Sequence, residues 1–287
     1  MTATVPNLLI IGAVKAGTSS LHHYLDLHPE VAMSARKELG FFMDPPRGNW
    51  DKGWDWYRRQ WPSEPSPAIK ITGEATPQYS YYPRFAEVPE RIAEFLPQAK
   101  ILYLVRDPVA RIVSHYLHNY RHRYETDDIN SHLLHADPED SVYFAASRYA
   151  VQIERYLKLF PREQIQVVEL EQLKKLPDET MASIFTFLGI DAGFRHEGFA
   201  VAENRTRDKR RRTWLGEKLD ALRATSLLSR VPVPSSVGAL YRKRIARAKV
   251  KRPELRSETI DRIQEILHPD VQKLRRLFDR DFDHWQI

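Results

Sequence analysis

Apolar and polar positions along the chain alternate between two spacings. The run Asn7-Leu-Leu-Ile-Ile11 is apolar, contains β-branched members and ends at Gly12, which predicts a buried first strand far too short to cross a bilayer. From Thr18 to Leu27, Leu21, Tyr24, Leu25 and Leu27 favour one side and Pro29 ends the segment, a helical pattern. Val31-Ala-Met33, residues 68–72 (ending at Gly73-Glu74), residues 100–105 and residues 164–168 read as further strands. Helices are predicted over residues 89–96, 108–120, 141–160, 177–188 and 254–278. Pro108 suits a first helical turn, and Gly189 suits a helix end. Two stretches lack periodicity: the Trp- and Pro-rich residues 45–67, read as an irregular surface excursion, and the polar residues 121–139, read as a loop or lid.

Strands alternating with helices predict an α/β fold, a P-loop-like parallel sheet flanked by helices on both faces. Ligands of such sheets bind at the carboxyl ends of the strands, which gathers residues 12–18, 74–78 and 106–108 on one rim. With 42% hydrophobic residues, the chain can bury a sizeable core, which excludes wholesale disorder. Residues 1–287 are read as one domain carrying a basic segment, expected to be mobile, at about 204–253.

The sequence has no cysteine, so disulfides, thiolate metal sites and cysteine nucleophiles are excluded. Met1 to Pro6 carries no basic leader and no stretch reaches membrane length, so the expectation is a cytoplasmic chain with no membrane span. The net charge of +6 points to anionic ligands. Basic residues crowd between Arg205 and Arg256. That crowding fits a solvated helical face or an acidic ligand; sparse aromatic interleaving and the lack of a recognised motif argue against nucleic acid.

The first strand runs into Gly12-Ala-Val-Lys15-Ala-Gly17-Thr18-Ser19, opening a helix. The spacing G-x-x-x-x-G is that of a phosphate loop, where backbone N–H groups approach the anion and the helix N-terminus adds positive potential. In an ATPase or GTPase, lysine follows the second glycine; here Thr18 stands there and the lysine lies inside the loop. A cradle of this kind suits one phosphate followed by one transferable group. Two rivals remain: a P-loop kinase or NTPase, needing ATP and Mg²⁺, and a basic nucleic-acid-binding protein, which has no need of Lys15.

The loop with Lys15, Gly17, Thr18 and Ser19 resembles the 5′-phosphosulfate loop of the sulfotransferases that use 3′-phosphoadenosine 5′-phosphosulfate (PAPS), the heparan sulfate branch above all. Leu104-Val105-Arg106-Asp107-Pro108 followed by Arg111 and Ser114, Lys37-Glu38-Leu39-Gly40-Phe41-Phe42, Gly73-Glu74-Ala75-Thr76-Pro77, and the tail through His268-Pro269, Leu277 and Trp285 are similar to further family motifs. The resemblance implies PAPS as co-substrate, released as 3′,5′-adenosine bisphosphate, no metal, and a small-molecule or carbohydrate acceptor. It implies that Lys15 stabilises the leaving group and that Ala16, Gly17, Thr18 and Ser19 hold the 5′-phosphate. It gives the 3′-phosphate to Arg106, whose planar fork suits it, and to Ser114, two helical turns on. Glu38 becomes the base for the acceptor, with Glu74 the other candidate and a substrate contact. Phe41 and Phe42 are read as either a wall of the acceptor pocket or, the commoner fate of such a pair, core packing. Arg210 and Arg211, in the cluster Lys209 to Arg212, are assigned to the nucleotide. Ala75 and Gly40 replace a Lys and a His that meet the sugar in the family, and the family's cysteine pair and amino-terminal anchor are missing, which implies a bacterial-style relative.

Overall fold

The computed structural model describes residues 5–61, 66–122, 124–125, 128–200, 210–212, 247–249 and 252–287. Five strands, β1 (Leu8–Gly12), β2 (Val31–Met33), β3 (Ile71–Ala75), β4 (Lys100–Val105) and β5 (Ile165–Glu169), form one sheet in the order β2-β3-β1-β4-β5. Every pairing in it is parallel: Leu8 faces Gly73 on one side and Lys100 on the other, and Ile101 faces Ile165. All five residues of β1 and all five of β3 are buried. Successive strand side chains point to opposite faces, so helices must cover both.

The connecting helices are α1 (Thr18–Asp26), α2 (Gly53–Arg58), α3 (Val88–Phe95), α4 (Pro108–Arg121), α5 (Ile129–His135), α6 (Val142–Ala145), α7 (Tyr149–Leu157), α8 (Leu170–Lys175), α9 (Pro177–Leu188) and α10 (Ser257–Phe278). Gly189 ends α9 in the left-handed conformation, φ 75°. A second apolar cluster joins α4, α5, α6 and α10 through Ile112, Leu133, Phe144, Ile263 and Leu267. Short strands β6 (Arg210–Arg212) and β7 (Arg247–Lys249) pair antiparallel, and β6 lies against α4. The rest of the basic segment at 204–253, apart from Arg252 and Pro253, lies outside the described residues. No helix among the described residues is long and apolar enough to cross a membrane.

Four sequence expectations are corrected. The excursion at 45–67 carries α2, and Tyr57 and Trp61 are buried. Phe41 stacks on Tyr57, 4.4 Å between ring centroids, and tilts against Trp54, so aromatic area with no helical period still joins the core. The polar stretch 121–139 contains α5, capped by Asp128 and anchored by buried Ile129, Asn130 and Leu133. The helix expected at 141–160 is two helices, broken at Ser147, whose hydroxyl serves Arg111 as described below. The third strand also starts later than expected: Lys70 and Ile71 donate to Glu30 O, and pairing begins only at Ile71.

Candidate functional site

At the carboxyl end of β1 the chain turns through residues 13–17 into α1. Gly17 has φ 96°, and a Cβ placed there would lie 2.5 Å from Leu170 Cδ1 of α8; only glycine fits this turn. Lys15 is also left-handed, φ 69°. Two guanidinium groups hold the loop carbonyls: Arg111 Nη1 donates to Val14 O and Arg106 Nη1 to Lys15 O, both at 3.2 Å. Because a trans peptide points its N–H opposite to its C=O, the Lys15 amide is directed away from Arg111. The α1 N-cap, Gly17, offers no capping side chain, so the amides of Thr18 and Ser19 open a helix end without an intrahelical partner. Such an end attracts anions.

Arg106 leaves β4 beside this loop. Its Nε is buried and, among the described residues, has no hydrogen-bond partner. Burial lowers its pKa, with Glu171 opposing and Arg252 adding to the fall. Lys174 of α8 is lowered by burial first and then by Arg106. Cations thus converge on the ends of β4 and α8. The hydrogen bonds of Asp107 are spent elsewhere: its side chain caps α4 through Ala110 N (2.7 Å) and accepts from Gln286 N (2.7 Å). Tyr149 Oη donates to Arg106 O at 2.8 Å, and Trp285 packs on Tyr149, so the carboxyl-terminal tail braces this turn. Ser114 is buried on α4, two turns beyond Arg106. Arg210 and Arg211 belong to β6, alongside α4.

Glu38 lies on the same rim. Its N–H donates to Ala75 O, the last residue of β3, at 3.0 Å; β3 pairs with β1 through Ala75 and Ile10. Glu38 has φ 62°, its side chain is 48% exposed, and Oε1 pairs with Lys37 Nζ at 2.6 Å. The surface pairing and a position open to an acceptor therefore coexist.

Two of the acceptor-side candidates lie in the interior. Glu74 is wholly buried, its carboxylate accepting from Tyr57 Oη, Tyr79 Oη and Thr76 Oγ1, a placement inside the protein rather than on the acceptor surface. Phe41 is 1% exposed within the aromatic cluster, and Phe42 is equally buried; the pair packs the core, the second of the two readings.

The sequence reading missed the weight of Arg111, Tyr57 and Tyr79. Arg111 is wholly buried, donating to Ser147 Oγ and Tyr143 O at 2.7 Å as well as to the loop. His115, 3.2 Å from it, is held well below the ordinary imidazole pKa by burial and then by Arg111, and so stays neutral. Arg111 was legible as a cation one turn into α4, but its inward direction was not.

Comparison with known proteins agrees with this arrangement. The family described as "Sulfotransferase domain" matches residues 5–278. The chain is 34% identical over 195 residues to human heparan sulfate glucosamine 3-O-sulfotransferase 5, and the match covers 65% of this chain and 54% of that one. It is 30% identical over 201 residues to human bifunctional heparan sulfate N-deacetylase/N-sulfotransferase 2, covering 65% and 22%; the chain thus spans about half of the first relative and about a fifth of the second. A sulfotransferase from Alicyclobacillus acidocaldarius superposes with a TM-score of 0.67 at 25% identity, covering 99% of this chain and 100% of that one. With the glycine turn, its interior lysine and the facing arginine in one continuous match, the chain belongs to the sulfotransferase-domain family.

Proposed function

We propose that the chain transfers a sulfuryl group from PAPS to a hydroxyl or amine of an acceptor, a carbohydrate or another small molecule. The observation that carries this reading is the phosphate loop with its lysine inside, faced by Arg106, whose buried Nε has no partner among the described residues. A glycine that tolerates no Cβ, helix-start amides without an intrahelical partner and converging cations fit a nucleotide with two separate phosphate groups. When bound, PAPS supplies an activated sulfuryl group whose leaving group is 3′,5′-adenosine bisphosphate.

The Lys15 ammonium neutralises charge that develops on the leaving side, an electrostatic contribution that costs no reorganisation in the loop. The amides of Ala16 to Ser19 and the Thr18 hydroxyl hold the 5′-phosphate. Ala16 N–H also donates to Ala13 O at 3.1 Å, so Gly17, Thr18 and Ser19 carry most of that work. Arg106 gives a planar donor fork to the 3′-phosphate, with Ser114 and the strand bearing Arg210 and Arg211 completing its surroundings. Glu38 takes the proton of the acceptor, a role worth on the order of a hundred- to ten-thousand-fold.

The names of the two human relatives point to a glucosamine hydroxyl or amine of heparan sulfate. Ala75 and Gly40 leave this rim without the Lys and His of that branch, so the proposal stops at a carbohydrate or small-molecule acceptor. Residues 1–287 are read as a single domain, and a cytoplasmic setting belongs to the same proposal; fractionation of expressing cells checks the setting.

A thermal-shift panel tests the function. A ligand at a hundred times its dissociation constant stabilises by about 2.7 kcal/mol, so 3′,5′-adenosine bisphosphate is expected to raise the melting temperature clearly and ADP with Mg²⁺ to leave it in place. The reverse ranking favours the NTPase reading and overturns this one.

A further inference from the structure

The Glu74 carboxylate sits at the root of two relays that end on the loop carrying Glu38. Its Oε1 accepts from Tyr57 Oη at 2.7 Å and from Tyr79 Oη at 2.9 Å, and its Oε2 accepts from Thr76 Oγ1 at 2.9 Å. Each hydroxyl has one proton to give. Two of them also receive a backbone amide: Gly40 N–H donates to Thr76 Oγ1 at 3.1 Å, and Phe42 N–H to Tyr79 Oη at 3.5 Å. A hydroxyl that takes an amide on its lone pair must turn its proton elsewhere, and here both protons turn to Glu74. The third hydroxyl, Tyr57, brings α2 and its aromatic cluster to the same carboxylate.

The loop so held is in a conformation that needs holding. Glu38 and Gly40 have φ 62° and 60°, and a non-glycine residue there costs about 1–2 kcal/mol. Such backbone persists where the surroundings over-determine it. Asn49 adds two ties, its Nδ2 donating to Leu39 O at 2.6 Å and its N–H to Gly40 O at 3.0 Å. An ionised carboxylate offers lone pairs on both oxygens, which all three hydroxyls require. A protonated one would have a proton of its own to place, and the hydroxyl facing it would have to turn its proton away, loosening the order of the network. Burial raises the Glu74 pKa overall, with the three donors opposing it.

We propose that Glu74 is a positioning residue: its carboxylate orders the Thr76 and Tyr79 hydroxyls so that they grip the amides of Gly40 and Phe42, and through them it aims Glu38 at the acceptor. This rests on Glu38 being the base. Glu74 itself touches neither donor nor acceptor.

Amide hydrogen exchange followed by NMR on the full-length chain tests the relay without any acceptor. In Thr76→Val and Glu74→Gln, the Gly40 amide should exchange at least about tenfold faster, equivalent to roughly 1.4 kcal/mol of lost protection. The isosteric loss in Thr76→Val keeps the volume, and Thr76→Ser, which keeps the hydroxyl, should restore wild-type exchange. The amides of Leu104 and Val105 in β4 should not change. Equal acceleration everywhere signals a merely structural role, and an unchanged Gly40 amide in Thr76→Val shows that the relay holds nothing; either result overturns the proposal. In labelled-sulfate transfer to p-nitrophenol and to a heparosan oligosaccharide, kcat of Thr76→Val should fall about tenfold with KM for PAPS unchanged. A wild-type kcat in that variant also overturns it. A wild type that turns over neither probe counts against the transferase reading alone, and the exchange result then decides the role of Glu74.

Discussion

Gly17→Ala is the most direct probe of how the phosphate loop is built. The substitution adds one methyl at φ 96°, where a Cβ would stand 2.5 Å from Leu170 Cδ1. The left-handed backbone costs an alanine about 1–2 kcal/mol. Displacing Leu170, which is only 6% exposed, adds about 1–3 kcal/mol of overpacking. Together the loss of stability should be roughly 2–5 kcal/mol. The two contributions separate in a double-mutant cycle. Leu170→Ala alone should cost about 2–5 kcal/mol through the cavity it leaves, yet in that background Gly17→Ala meets no leucine and costs only its backbone share. The coupling should therefore be favourable by about 1–3 kcal/mol. Urea unfolding of the four proteins gives the cycle, and calorimetry with 3′,5′-adenosine bisphosphate reports whether the α1 amides still face the ligand; Gly17→Ala should weaken binding. Additivity within about 0.5 kcal/mol would show that the Leu170 contact is not what excludes a side chain.

Two further outcomes follow from the same geometry. Lys15→Ala should lower sulfuryl transfer by about a hundredfold or more while circular dichroism stays native, because the loop carries little of the core; retained turnover removes Lys15 from the chemistry. Asp270 of α10 accepts from Ala150 N and Val151 N and has its pKa pushed up from 3.8 to about 6, by burial first, against those two amides. The native state therefore holds this proton more tightly than the unfolded chain does. Its contribution to stability is complete below about pH 4 and falls by roughly 3 kcal/mol as the pH rises through 6. Urea unfolding from pH 4 to 7 should show that much less decline in Asp270→Asn than in the wild type, and parallel profiles would refute the assignment.

Much of the frame was readable because the physics that sets it is local. β4 came out as Lys100–Val105 and α9 as Pro177–Leu188, where apolar spacing, a proline start and a glycine stop agree within a few residues. The phosphate loop was readable for the same reason: glycine spacing at a strand end dictates how closely backbone can approach an anion. The place of Arg106 on the rim followed from the parallel sheet, whereas its phosphate role came only from the family resemblance.

Direction and partnership over distance were decided by the tertiary structure. Glu74 is a carboxylate at a strand end by sequence, and nothing local says that Tyr57, 17 residues away, and Tyr79 will enclose it. Phe41 could wall a pocket or fill a core until the Trp-rich segment, lacking any period of its own, folds over it. The helix expected at 141–160 breaks at Ser147, whose hydroxyl meets Arg111 from 36 residues away along the chain. Spacing along the chain determines which face a side chain shares with its near neighbours; whether that face meets solvent, ligand or core depends on segments that arrive from elsewhere.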